Sequence, residues 1–185
     1  MLVEDAKREF ARRTRYGIGN VITHLVIWLA LGISSFLFPE AGEIAMIYVV
    51  ALAVIWPLNL IVSRLLNVER VVANNSLSKL AGLVGMIPLL FGPLLIGVYF
   101  TAPHMAPWTL SVLASTQFLI SIWMYDSLAY LFCALGIIEV ATLIGWLAPG
   151  ATFIATPFAV ASILLITAGF VGGEISSDRK AAKRK

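Results

Sequence analysis

Residues 7–38 of the chain read KREFARRTRYGIGNVITHLVIWLALGISSFLF, a basic segment that runs directly into an apolar one. An α-helix needs about 20 mostly apolar residues to cross the hydrocarbon core of a bilayer. The apolar part, residues 17–38, is long enough for one crossing. Because no small-residue cleavage site follows it, we expect this segment to remain as a membrane span and not to act as a signal peptide.

The same alternation of basic and apolar segments continues along the chain and predicts further spans. All 13 Lys and Arg residues fall in three stretches, 7–15, 64–79 and 179–185. Six crossings place these stretches on one side of the membrane, and Lys and Arg collect in cytoplasmic loops. We therefore predict an all-α fold, an integral membrane bundle of six transmembrane helices with both termini cytoplasmic (N-in/C-in). The predicted spans are 17–38, 44–63, 80–100, 108–125, 127–147 and 152–173, between basic tails at 1–16 and 174–185.

The composition agrees with this fold and indicates what surrounds the protein. Charged residues make up 12% of the chain, against about 25% in soluble domains. The basic residues flank membrane spans and are not gathered on a folded face with stacking aromatics, so we expect no nucleic acid to bind. The expected partners are the lipid bilayer and anionic lipid headgroups at the cytoplasmic face. A homo-oligomer or a second membrane protein stays open.

The basic start of the chain carries one resemblance and one choice of structure. Lys-Arg-Glu-Phe followed by Arg-Arg-Thr-Arg-Tyr-Gly, leading into the first span, resembles small six-span proteins of the bacterial inner membrane. The resemblance implies that membrane as the location and implies no activity. Residues 1–16 could form a short helix at the membrane surface, and we favour a solvated basic tail that sets topology.

Two regions of the predicted bundle are irregular. Pro88 and Pro93 lie in the third span, where each removes a helix hydrogen bond and clashes with the preceding turn, which predicts a kinked or broken third helix. Residues 108–147 contain only two charged residues, Asp126 and Glu139, so they could form one span and a re-entrant piece. An odd number of crossings would place the basic residues 179–185 outside, and the charge rule therefore favours two spans.

Glu139 is the most informative single residue, because it lies near the middle of the predicted fifth span. Ionisable residues at membrane depth usually face the bundle interior and mark functional sites. Burial disfavours the charged form of a carboxyl group, which suggests a group that binds and releases protons near neutral pH. The alternative is a protonated Glu139 that hydrogen-bonds a neighbouring helix and has a purely structural role.

Four further polar residues lie within predicted spans. Gln117 is at about the depth of Glu139, and with the break at Pro88 and Pro93 it predicts a polar cavity bounded by spans three, four and five. Asn20 and His24 share one face of span one, and Asn59 lies in span two. The predicted substrate or proton site therefore comprises Glu139, Gln117, His24, Asn59 and Asn20. Each could instead be a helix-packing contact.

The sequence contains none of the motifs that would indicate an enzyme. There is no His-Glu-x-x-His, Gly-x-Ser-x-Gly, P-loop or Cys-x-x-Cys motif. We expect no catalytic residues, no metal and no cofactor. The leading hypothesis is a small transporter or channel-like protein with alternating access coupled to Glu139. The alternative is a non-transporting membrane subunit, assembly factor or regulator, whose buried polar residues are packing contacts.

Overall fold

The computed structural model describes residues 3–182, and this part of the chain is helical without a β-strand. The predicted tails extend into residues 1–2 and 183–185, which lie outside the described range. Short 3-10 turns join some of the helices, at Arg15–Gly17, Pro103–Met105 and Pro149–Ala151. The α-helices of the described range are α1 (Val3–Arg13), α2 (Ile18–Leu37), α3 (Ala41–Leu65), α4 (Leu77–Leu90), α5 (Gly92–Thr101), α6 (Ala106–Tyr125), α7 (Leu128–Leu147) and α8 (Thr152–Ala182).

Six helical segments are long and apolar enough to cross a membrane. The prediction of an all-α fold with six helices that could span a membrane is thereby confirmed, and this architecture is compatible with a multi-pass membrane protein. The sixth helix is longer than predicted, because α8 continues past Gly173 to Ala182. The six segments are Arg15–Leu37, Ala41–Leu65, Leu77–Thr101, Pro103–Tyr125, Leu128–Leu147 and Pro149–Ala181.

The structure describes both regions that the sequence marked as irregular. Residues 106–147 form two complete helices, α6 and α7, which turn at Asp126 in a left-handed conformation (φ 51°). The third segment is divided in two, since α4 ends at Leu90 and α5 begins at Gly92. The division falls between Pro88 and Pro93, where the missing N–H groups interrupt the helical hydrogen bonds.

The best-packed part of the bundle consists of α2, α6, α7 and α8. Aromatic side chains fill it, and the largest fully buried ones include Trp28, Phe118 and Tyr130. The α3 helix packs on α2, while α4 and α5 lie against α3 and α6 with fewer contacts. The bundle thus has a dense side and a looser side, and polar residues of α2, α3 and α6 lie between them.

The described residues of the three basic stretches meet at one end of the bundle, which we call the basic end. Residues 3–13 form α1 there and not a solvated tail, and Phe10 is buried in a stacked contact with Tyr125 (ring centroids 5.9 Å apart). Arg15 Nη1 donates to the carbonyl oxygen of Leu66 at 2.8 Å. The α1 helix docks because its apolar residues recur at helical spacing and can cover the start of α4 and the end of α6.

Candidate functional site: a polar cavity at the basic end

A cavity of about 290 Å³ opens at the basic end, between α2, α3, α4 and α6. The α1 helix and the segment 68–71 form its rim. The sequence predicted a cavity bounded by spans three, four and five, whereas this one is bounded by the first four spans. Outside the segment 68–71, its polar lining includes Thr14, Asn20, Asn59, Ser63, Ser78, Gln117, Ser121, Tyr125 and Tyr130.

Three amide side chains from three different helices meet in this cavity. The Oδ1 atom of Asn20 accepts hydrogen bonds from Asn59 Nδ2 at 3.3 Å and from Gln117 Nε2 at 3.5 Å. Ser63 Oγ donates to Asn59 Oδ1 at 3.0 Å. We call Asn20, Asn59 and Gln117 the amide cluster. Three of the five residues predicted for a site are therefore brought together.

Gln117 is the member of the amide cluster that is least satisfied. Its side chain is 4% exposed, and its Oε1 atom is buried without a hydrogen-bond partner among the described residues. Leaving a buried acceptor unpaired costs about 1–3 kcal/mol. Since Gln117 lines the cavity, a molecule that carries an N–H or O–H group could supply the missing hydrogen bond from there.

Two glycines allow α2 to approach its neighbours closely at the cavity. Gly17 has φ +70°, and a Cβ atom at this position would lie 2.7 Å from Tyr125 Oη. A Cβ atom on Gly19 would lie 2.8 Å from Ser63 Oγ. Arg15 and Tyr16 share the left-handed conformation of Gly17, and the Tyr130 hydroxyl donates to the carbonyl oxygen of Tyr16. This turn fixes where α2 begins and therefore where Asn20 lies.

Charged residues occur only at the rim of the cavity. The Arg70 guanidinium lies 5.8 Å from the ring centroid of Trp56, a cation–π distance. Burial lowers the pKa of Arg70 from its ordinary value, and the positive charge of Arg64 adds to this effect. Glu69 accepts from Arg13 Nη2 at 2.7 Å, so its charge is balanced by α1. The deeper wall is neutral, and the rim is positively charged around Arg70.

His24 is buried but does not line the cavity. It lies one helical turn beyond Asn20, and its ring meets that of Phe118 edge-on at 5.1 Å. Its Nδ1 atom lies 2.9 Å from the Asn20 carbonyl oxygen, which can only accept, so Nδ1 donates. The Nε2 atom has no partner among the described residues. His24 thus supports the backbone of Asn20 from inside the core.

Glu139 lies on a different side of the molecule, on the outer face of α7, where it is exposed. The buried face of α7 carries Ala134, Ile137 and Ala141, spaced three and four residues apart. Residues two positions apart point about 200° apart around a helix, so Glu139 faces away from the surface on which Ile137 packs. The structure does not bring Glu139 to the amide cluster.

The break in the third span also lies away from the cavity. The lining residues of α4 run from Ser78 to Gly85, which is the part before Pro88, and neither Pro88 nor Pro93 contributes. Sequence reasoning did not include Arg70, Tyr125 or Tyr130 among the site residues. Tyr125 could have been found, because it continues the face of α6 that carries Gln117 and Ser121 at intervals of four residues.

One protein-family model matches nearly all of the described helices. A model for a family of unknown function, DUF7010, matches residues 3–173, from α1 well into α8. The chain belongs to the DUF7010 family. Neither a curated protein nor a solved structure matches it. The DUF7010 match therefore extends over the whole cavity, including α1, the rim and the amide cluster.

Proposed function

We propose that the chain is a small inner-membrane transporter that binds a small, uncharged polar solute at the amide cluster. The observation that carries this proposal is Gln117, which lines the cavity and whose buried Oε1 atom has no partner among the described residues. Amide groups both donate and accept hydrogen bonds, so the cluster suits a solute that offers both kinds of group. It offers no formal charge to hold a bare ion.

The dimensions and the rim of the cavity agree with such a solute. A volume of about 290 Å³ is near the lower end of ligand pockets, which range from about 300 to 1,000 Å³. The aromatic side chains of Trp56, Tyr125 and Tyr130 supply flat apolar walls beside the amides. Arg70 at the rim disfavours cations near the entrance. Because Glu139 is exposed outside the cavity, the proposal does not couple binding to its protonation.

The proposal also includes an orientation in the membrane and a lipid partner. With the Lys and Arg residues in the cytoplasm, the cavity faces inward and solute reaches it from the cytoplasm. Arg12, Arg15 and Arg179 line a groove of about 190 Å³ beside α1. Phosphate groups of anionic lipids are its proposed partners. The chain is not proposed as an enzyme, since neutral amides provide no nucleophile and no general base.

A second function is favoured by the hydrogen bonds within the amide cluster. They join α2, α3 and α6 directly, as interhelical packing contacts do. On this alternative the protein is a non-transporting subunit, assembly factor or regulator, and the amides stabilise its bundle. The two functions differ in one property, which is whether a solute competes for the Gln117 amide.

The test is a thermal-unfolding screen of the purified protein in detergent against small polar solutes such as amides, polyols and neutral amino acids. We expect at least one solute to raise the midpoint of wild-type protein, because a ligand that binds only the folded state stabilises it. Gln117→Met keeps the volume of the side chain and removes its amide, so the response should disappear. Ser162→Ala, which removes an exposed hydroxyl on α8, should keep the response.

Two results would contradict the transporter proposal. One is a screen in which no solute moves the wild-type midpoint. The other is a Gln117→Met variant that responds like wild type. If in addition the variant is destabilised without any solute, the amide cluster is a packing contact and the second function is supported.

A further inference from the structure

Arg70, at the rim of the cavity, is a cation without a counter-ion in the part of the chain that the structure describes. Its neighbour Glu69 pairs with Arg13 instead, and none of the ion pairs within residues 3–182 includes Arg70. The side chain is half-buried, and its burial together with the positive charge of Arg64 lowers the pKa of Arg70. Both effects disfavour the charged guanidinium, so an anionic group that enters the cavity would stabilise it.

The Trp56 ring covers one face of the Arg70 guanidinium and leaves its edges available. The Cζ atom of Arg70 lies over this ring, and both side chains line the cavity. The N–H donors of a guanidinium lie in its plane, where they match the two oxygens of a carboxylate. A phosphate group would bring nearly two negative charges, whereas Arg70 is the only cation among the described residues that line the cavity. A carboxylate is therefore the group that fits this end best.

The deeper wall of the cavity requires a group of the opposite kind. The Gln117 Oε1 atom is buried there without a partner among the described residues, and an amide oxygen only accepts hydrogen bonds. An ammonium group has three N–H donors and no acceptor, so it can supply the missing bond. It also balances the charge of a carboxylate at Arg70. The solute then has no net charge, as the proposed function requires.

We propose that the solute is a small zwitterion of the amino-acid class, with its carboxylate at Arg70 and its ammonium group at Gln117. This assignment rests on the proposed function and narrows its solute to one chemical class. Arg70 then determines specificity, because polyols and simple amides offer it no carboxylate. A cavity of about 290 Å³ favours a small solute, whose apolar part would contact the aromatic walls.

The test is thermal unfolding of the purified protein in detergent with zwitterions whose two charged groups are spaced differently. The set is glycine, alanine, β-alanine and γ-aminobutyrate. We expect at least one of them to raise the midpoint of the wild type, because a ligand that binds only the folded state stabilises it. Propionate lacks the ammonium group and ethylamine lacks the carboxylate, so each should bind about tenfold more weakly than the best zwitterion, or weaker still.

Three variants test the role of Arg70. Arg70→Gln should weaken binding of the best zwitterion about tenfold to hundredfold, the range for hydrogen bonds to a charged group. Arg70→Lys keeps the charge but loses the paired donors, so it should retain part of the affinity. Arg64→Gln is the matched control, because Arg64 is exposed and does not line the cavity. It removes the same charge from the same end of the bundle and should leave the affinity nearly unchanged.

Midpoints measured without solute show whether these variants fold, and the comparison of solutes on the wild type depends on no variant. Two results would overturn the zwitterion and leave the proposed function in place. In one, polyols or amides stabilise the wild type through Gln117 and no zwitterion does. In the other, a zwitterion stabilises Arg70→Gln as strongly as the wild type but does not stabilise Gln117→Met.

Two further results would contradict the zwitterion and the proposed function together. The first is a zwitterion whose effect requires Arg70 but persists in Gln117→Met, because the amide cluster would then not bind the solute. The second is a screen in which no solute of any class moves the wild-type midpoint.

Discussion

The fourth and the third membrane segments differ sharply in how far the rest of the bundle covers them. In the most apolar part of Pro103–Tyr125, 61% of the residues are buried, whereas in Leu77–Thr101 the share is 17%. The cavity lies between these two segments, with Gln117 on the covered side and Ala81 to Gly85 on the uncovered side. The polar site therefore lies between a segment that the bundle covers well, Pro103–Tyr125, and one that it covers little, Leu77–Thr101.

If the proposed transport function is correct, the division of the third segment at Phe91 gives this contrast a use. Helix α4 is held near the basic end by contacts with α1 and α6, and Phe91 separates it from α5. A helix without continuous backbone hydrogen bonds can move in two parts, as hinge elements do at segment ends. The covered segment would then present Gln117 at a fixed position while α4 changes the size of the cavity.

The largest effect is expected at Gly17, which lies against Tyr125 at the end of the covered segment. Gly17→Ala forces a side chain into a left-handed conformation and against Tyr125, so we expect a loss of about 2–4 kcal/mol in the free energy of unfolding. Gly97→Ala on α5 is the matched control, because nothing lies within 4 Å of its added Cβ atom. Denaturant unfolding in detergent measures both. Equal effects would remove the distinction between the two sides.

A smaller effect is expected within the amide cluster. Asn20→Leu removes the acceptor shared by Asn59 and Gln117 and leaves their N–H groups without it, which should cost about 1–3 kcal/mol. Ser34→Ala, at the opposite end of the same helix, removes an exposed hydroxyl that bonds only its own helix. It should change stability little in the same unfolding assay. An Asn20→Leu variant as stable as wild type would show that the cluster does not hold the three helices together.

The smallest effect concerns the rim. Arg13 and Glu69 are both well exposed, at 42% and 48%, so their ion pair should contribute no more than about 1 kcal/mol. Glu69→Gln should lower stability slightly at low salt, and the difference from wild type should vanish at high salt. Glu43→Gln, at the other end of the bundle, is the control, and it makes no ion pair within residues 3–182. A large loss that persists at high salt would mean that this pair fixes α1 in place.

The fold could be predicted from the sequence because it depends on the lengths of apolar segments and the positions of charged residues along the chain. Apolar length gives the spans, and the grouping of Lys and Arg gives a common end for the three basic stretches. A helix at the start of the chain was one of two alternatives, but its burial was not predicted, because its apolar residues Ala6, Phe10 and Ala11 are few among charged ones. Its burial depends on a surface of α4 and α6 that only the assembled bundle presents.

The site was predictable only in part, since depth along a helix does not reveal direction around it. Asn20, Asn59 and Gln117 were all among the predicted site residues, but the sequence placed Gln117 at the depth of Glu139 and did not indicate that the three amides meet. Glu139 has a similar depth but points outward, away from Ile137 on the same helix. Ala134 and Ala141, seven residues apart, contained this information, because small residues at helical intervals mark the face on which neighbouring helices pack.

The most direct test of the central claim is whether the cavity admits water from the basic end. Ser121→Cys and Ser115→Cys, each with Cys133→Ala, place one thiol at two buried positions of α6, 6% and 3% exposed, of which only the first lines the cavity. Both are treated with a membrane-impermeant thiol reagent in vesicles of either orientation. We expect Ser121→Cys to react only when the basic end faces the reagent and Ser115→Cys not to react. Equal protection of both thiols, or reaction from the opposite side, would contradict it.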